Sequence, residues 1–177
     1  MVHCLLHYYY YYLRAPVKIT FIAECPSECL NYKFLNESNR AQGYSSRNRL
    51  PLCDDKLSES WYRFSGGAGD KMPDYCVEKL SCGTHAPGWL NTPHPSVADG
   101  IIETNVCFHW GSDCCYWSAT IKVRNCGVFF VYQLNKTPYC NLRYCGNKEK
   151  GRKNHLRKSV KHVKVTEIGR ASCRERV

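Results

Sequence analysis

Ten cysteines lie between residues 29 and 145: Cys29, Cys53, Cys76, Cys82, Cys107, Cys114, Cys115, Cys126, Cys140 and Cys145. Side chains of this type can hold a metal, attack a substrate or cross-link the chain. A zinc set can be drawn from Cys25-x3-Cys29, Cys140-x4-Cys145, His85, His94 and His109. It contains no Cys-x2-Cys pair, and zinc needs thiolates. A Cys–His nucleophile also needs a free thiolate. An even, dense set reads instead as a disulfide scaffold, and such scaffolds belong to oxidising, extracellular compartments. Bridged sulfur neither ligates zinc nor acts as a nucleophile. The sequence therefore predicts no catalytic residue, no metal and no cofactor.

The remaining chemical candidates are weaker. Gly66-Gly67-Ala68-Gly69 lacks the lysine and hydroxyl residue of a phosphate loop and reads as a turn. Asp54-Asp55 and Asp113 fit acid–base work, but surface loops carry such residues routinely. The histidines fall in loops or strands with no carboxylate at a matching spacing. Trp61, Trp89, Trp110 and Trp117 can form a sugar-stacking platform, yet in a small core they more often pack against disulfides.

The formal charge of +10 is unevenly spread. Residues 25–146 carry 12 Lys/Arg against 11 Asp/Glu, whereas residues 147–177 carry 11 against 3. The cysteine-rich segment is nearly neutral, so a nucleic-acid partner is not expected; short basic runs are usually solvated. No stretch is long and apolar enough to span a membrane.

The ends stand apart. Residues 1–24 begin Met-Val-His-Cys-Leu-Leu-His and run through Tyr8 to Tyr12, too polar for a good signal-peptide core. They read as a poor signal peptide or as translated repeat DNA. Residues 147–166 are Lys/Arg-rich without apolar period and read as a basic disordered tail or linker. Residues 167–177, Glu-Ile-Gly-Arg-Ala-Ser-Cys-Arg-Glu-Arg-Val, back-translate to a sequencing-adapter-like string. They are set aside from the fold, with Cys173.

The elements that must position the middle are strands. Between Gly100 and Trp110, Ile102, Thr104, Val106, Phe108 and Trp110 alternate with Glu103, Asn105, Cys107 and His109. Trp117 to Arg124 alternates likewise, and Val128, Phe130, Tyr132 and Leu134 share one face of a third run. Asn125-Cys126-Gly127 supplies a turn. Trp61 to Phe64 is a further short strand. The prolines at 87, 93 and 95 make Thr84 to Pro95 an ordered loop, neither helix nor central strand. Asp70 to Leu80 has room for one helical turn. The fold class is mainly β: a small disulfide-rich extracellular domain with an antiparallel sheet, long ordered loops and at most short helices.

Several strings carry a family resemblance: Trp-Tyr-Arg-Phe at 61–64, Ala-Gly-Asp-Lys-Met-Pro at 68–73, Cys-Gly-Thr-His-Ala-Pro from 82, Trp-Leu-Asn at 89–91, and Cys-Cys-Tyr-Trp at 114–117. Over residues 25–146 the chain resembles the uromodulin-type cysteine-rich module. Spacing alone leaves on the order of a thousand pairings of ten cysteines open. The resemblance implies one set: Cys29–Cys126, Cys53–Cys140, Cys76–Cys114, Cys82–Cys145 and Cys107–Cys115. Cys25 matches the last cysteine of a hairpin that precedes the family's module. Its partner there lies upstream, where this chain offers only Cys4, so the hairpin itself is expected to be lost.

The resemblance implies a non-catalytic extracellular recognition or adhesion module, part of a larger secreted or surface glycoprotein, with protein or glycan ligands. The alternative is an N-glycan-presenting decoy for microbial adhesins. Asn36-Glu37-Ser38 and Asn135-Lys136-Thr137 are acceptor sequons. In the family a glycan just after the strand equivalent to Phe129–Tyr132 acts as bait for adhesins. Here that site is Gln133, with the sequon displaced to Asn135, and Asn91-Thr92-Pro93 breaks another family sequon. Asn105-Val106-Cys107 is a poor acceptor if Cys107 is bridged.

Overall fold

The computed structural model describes residues 3–12 and 15–149, with side chains from Cys25 onward. The adapter-like stretch and all but the first residues of the basic tail lie outside the described residues. Strands β1 (His3–Tyr12) and β2 (Ala15–Glu24) pair antiparallel as a separate two-stranded sheet. No element is expected there from the sequence. Tyrosine, threonine, valine, isoleucine and phenylalanine are all strong strand formers, and their concentration on both sides of a short connection accounts for the hairpin. A hairpin thus directly precedes Cys25.

Seven strands form the main sheet in the order β3-β4-β8-β7-β6-β5-β9. They are β3 (Lys33–Leu35), β4 (Ser60–Phe64), β5 (Ala86–Leu90), β6 (Ile101–Trp110), β7 (Asp113–Asn125), β8 (Phe130–Leu134) and β9 (Leu142–Tyr144). The antiparallel centre β6–β7–β8 follows the period-two pattern. Val106, Phe108, Ile121, Val123, Tyr132 and Leu134 all point into one core cluster with Phe64, Met72, Leu142 and Tyr144. The turn between β7 and β8 is closed by Cys126 N–H donating to Phe129 O and by Gly127 N–H donating to Asn125 Oδ1. Gly127 sits at φ 93°, a left-handed value that favours glycine.

The sheet departs from expectation in four places. It is mixed, because β3–β4 and β5–β9 are parallel pairs. Residues 86–90 are a strand within the sheet, despite Pro87. The reason is an offset: β9 pairs with β5 at Ala86–Gly88, while β6 pairs only from Gly88 onward. Residue 87 faces the β6 side, so the missing N–H falls just beyond that ladder. Gly88 has its own cause, since a Cβ there would lie 2.7 Å from Phe108 Cε1 and 3.0 Å from Arg143 O. Third, Val128 is 68% exposed rather than on the buried face, while Val131 on the opposite face of β8 is fully buried against Cys29–Cys126. Fourth, residues 70–80 hold no helix; the short 3-10 turns lie at Ser27–Cys29, Ser38–Arg40 and Val97–Asp99.

One side of the core is ionic. Arg40 and Asp54 are each 3% exposed and form a two-pronged pair, Nη1 to Oδ2 at 2.6 Å and Nη2 to Oδ1 at 2.9 Å. Both also hold the backbone of Tyr144: Arg40 Nη1 donates to its carbonyl at 3.0 Å, and its N–H donates to Asp54 Oδ2 at 2.9 Å. Burial pushes Arg40 down, but Asp54 and Glu37 outweigh it and hold the guanidinium above its ordinary value. Asp54, expected in a surface loop, is therefore a buried structural anion. Arg143 donates to Cys82 O and Asn39 O, and burial with the nearby Arg40 charge pulls it down to about 10.

The fold also runs past residue 146. Asn147 N–H donates to Lys71 O, its Oδ1 accepts from Asp70 N–H, and Lys148 N–H donates to Ala68 O. The expected tail thus begins with two docked residues, fixed by hydrogen bonds.

Candidate functional site

Five bridges fix the loops around the sheet: Cys29–Cys126, Cys53–Cys140, Cys76–Cys114, Cys82–Cys145 and Cys107–Cys115. Cys25 is in a disulfide too. The adjacent Cys114 and Cys115, at the start of β7, go to different partners. Asp113 Oδ1 accepts from Cys115 N–H at 2.8 Å, so this carboxylate closes the β6–β7 hairpin.

The cysteines of the zinc candidates are consumed by these bridges, and their histidines are apart. His85 lines a cleft of about 330 Å³ with Lys79, Leu80, Trp110 and Gly111. His109 Nδ1 bonds Val77 O at 2.8 Å and lies 3.6 Å from Cys76 Sγ. Cys76, His109 and Cys114 do come together, but two of the three are bonded to each other.

His94 does find a carboxylate, which sequence spacing missed. Its side chain is 6% exposed, with Nδ1 3.2 Å from Asp74 Oδ2 and Nε2 2.8 Å from Tyr132 Oη. Met72 N–H donates to Tyr132 Oη, which leaves the phenol proton for His94 Nε2. The imidazole is then neutral and donates from Nδ1 to Asp74. The only sequence signal was rigidity: His94 sits between two prolines, and Asp74 follows Pro73. The chain of groups resembles a catalytic relay but is closed to substrate. Tyr132 is fully buried, and burial pushes its phenol far above the ordinary value. Asp74 is pushed up by burial, but the His94 hydrogen bond and Lys71 outweigh this and hold it below its usual range.

This network sets a pH dependence. Burial holds His94 below its ordinary 6.5, against the pull of Asp74. The unfolded chain then binds more protons near that value. The contribution to stability is full above about 6.5 and falls as the pH drops through and below it. The depressed Asp74 loses its contribution only in the more acid range. The midpoint of thermal unfolding is expected to drop between pH 7.5 and 5.5, and His94→Gln to flatten that slope. A slope unchanged in the variant would contradict the assignment.

The four tryptophans divide. Trp61 packs on Cys29, Cys126 and Val131, and Trp89 on Val77, Cys82 and Cys145 with Nε1 donating to Cys114 O at 2.9 Å. These two pack against disulfides. Trp110 and Trp117 belong to an outward cluster at the β6–β7 tip. The Trp117 ring lies 5.7 Å from Trp110, 4.5 Å from Tyr116 and 6.0 Å from Tyr139. Trp110 is 37% exposed, and Tyr116 and Tyr139 are each 56% exposed. Trp117 is half-buried on the main core and anchors the strip.

Both sequon asparagines are exposed. Asn36 and Ser38 stand on an open turn. Asn135 follows β8, but its Thr137 is 2% exposed, with the hydroxyl donating towards Tyr139 O and Leu142 O. Gln133 is half-buried in β8, where it donates to Glu59. Asn105 is exposed and accepts from Thr120, while Cys107 of that triplet is bridged.

A mainly β sheet bound by five bridges defines a disulfide-rich extracellular module. Residues 62–146 match the uromodulin-like cysteine-rich domain, and this module belongs to that family. Pancreatic secretory granule membrane major glycoprotein GP2 of Homo sapiens is 43% identical over 122 residues, covering 68% of this chain and 22% of its own length. GP2 of Canis lupus familiaris is 43% identical over 118 residues, covering 66% of this chain and 23% of its own. Uromodulin of Rattus norvegicus is 43% identical over 122 residues, covering 68% of this chain and 18% of its own. The chain thus spans about a quarter or less of these relatives. Among the described residues no helix is long and apolar enough to cross a membrane.

Proposed function

We propose that this module is a non-catalytic extracellular recognition unit that contacts its ligand through Trp110, Tyr116, Trp117 and Tyr139. The observation that carries the reading is the exposed aromatic strip on a hairpin tip whose backbone is tied down by Cys76–Cys114 and Cys107–Cys115. Aromatic faces stack on sugar rings and on apolar side chains, and a surface already rigid loses little entropy on docking. The relative GP2, a secretory granule membrane major glycoprotein, supports a secreted setting. The test is display of the secreted full chain on an array of glycans and extracellular proteins. Replacing Trp110 and Trp117 together by Ala is expected to weaken binding by tenfold or more, about 1.4 kcal/mol or beyond. Binding unchanged by the double replacement would contradict the reading.

A second reading is supported by the exposure of Asn36 and Asn135. Glycans there would be the ligand, and the protein the scaffold. Asn36 is the more open acceptor, because Thr137, the recognition residue of the other sequon, is sealed into the fold. Adherence of mannose-binding bacteria to the coated chain, lost on Asn36→Gln with Asn135→Gln, supports this reading. Adherence indifferent to both contradicts it.

A further inference from the structure

We propose that the Cys76–Cys114 bridge is a thiol-exchange site, which takes a small thiol such as glutathione on Cys114. Three observations meet there. First, access: Cys82, Cys145 and Cys107 are fully buried and Cys29 and Cys126 nearly so, whereas Cys76 is half-buried and Cys114 exposed; Cys115 is exposed too, but its partner Cys107 is buried. Cys53–Cys140 is also accessible, but the polar contact at its sulfurs is the carbonyl of Pro51. Second, an imidazole: His109 Nδ1 lies 3.6 Å from Cys76 Sγ. Third, room: Cys76 lines a cleft of about 250 Å³ with Gln42, Tyr75 and Glu78, so a released Cys76 can turn away from Cys114.

The step is an exchange with no net oxidation. The incoming thiolate forms a bond to Cys114 Sγ from the exposed side, and the Cys114–Cys76 sulfur–sulfur bond breaks. Its electron pair leaves on Cys76 Sγ. The Cys76 thiolate lies 3.6 Å from His109 Nδ1, whose N–H it shares with Val77 O, and takes its proton from water. Lowering the basicity of the departing sulfur speeds such exchange. Cys114 is bonded through the chain to Cys115, so the opened position lies one residue from the Cys107–Cys115 bridge, whose Cys115 is exposed and whose Cys107 is buried.

The test uses the full-length folded chain in a glutathione redox buffer, acid-quenched over time, alkylated and mapped by mass spectrometry. The expected first product carries glutathione on Cys114 and the alkyl label on Cys76. His109→Gln, which can still donate to Val77 O, is expected to slow that product by about tenfold. Opening first at Cys53–Cys140 or Cys107–Cys115 would overturn the proposal, as would glutathione on Cys76. A variant with the wild-type rate would overturn the role of His109. If the variant does not fold, the wild-type map decides.

Discussion

Asp54→Asn is expected to cost about 3–5 kcal/mol of folding stability, a large part of the total for a domain of this size. The reason is the company Asp54 keeps. Arg40, 3% exposed, loses its two-pronged partner and becomes a buried charge facing an amide. Asp54 Oδ2 also accepts from Tyr144 N–H. Arg40→Met with Asp54→Leu removes both charges, yet it orphans the N–H and one acceptor position of Tyr144, so it should recover only part of the loss. Chemical denaturation of the secreted variants measures both numbers. A loss under about 1 kcal/mol for Asp54→Asn, the range of an exposed pair, would show that the ion pair does not anchor β9.

The bridges should differ in worth in a definite order. In the chain-entropy account a cross-link contributes according to the length of the loop it closes. Cys29–Cys126 spans 97 residues and Cys107–Cys115 spans 8. Paired Cys→Ala replacement is then expected to cost about 4.7 kcal/mol at the first and about 2.5 kcal/mol at the second. The first also removes contacts of a small cluster with Val131, Trp61 and Tyr32, which adds to its cost. Denaturation midpoints in the reverse order would mean that packing around Cys107, and not loop closure, dominates.

What the sequence makes legible is what local periodicity encodes. The alternation of Ile102, Val106 and Phe108, and of Ala119, Ile121 and Val123, announces β6 and β7 because one face of each is buried. Gly127 announces its turn because only a left-handed residue closes it. β3 and β9, each three residues long, carry no period, and both pair in parallel with partners far away in the chain. β5 was hidden by Pro87, since proline argues against a central strand unless two ladders happen to be offset around it. Asp54–Arg40 and Asp74–His94 were illegible for a related reason: each is a pairing between loops brought together by the sheet. The candidate site was half legible. Aromatic and sulfur density marked the region of Cys-Cys-Tyr-Trp, but nothing local says that Trp89 turns inward while Tyr116 turns out.

The claim at the centre is that the protein surface, and not its glycans, is what this module offers to a partner. The most direct measurement compares two variants of the secreted full chain on one array of glycans and extracellular proteins: Trp110→Ala with Trp117→Ala, and Asn36→Gln with Asn135→Gln. The aromatic variant is expected to lose its signals by tenfold or more, about 1.4 kcal/mol, while the sequon variant keeps them. Signals kept by the aromatic variant and lost with the sequons would contradict it.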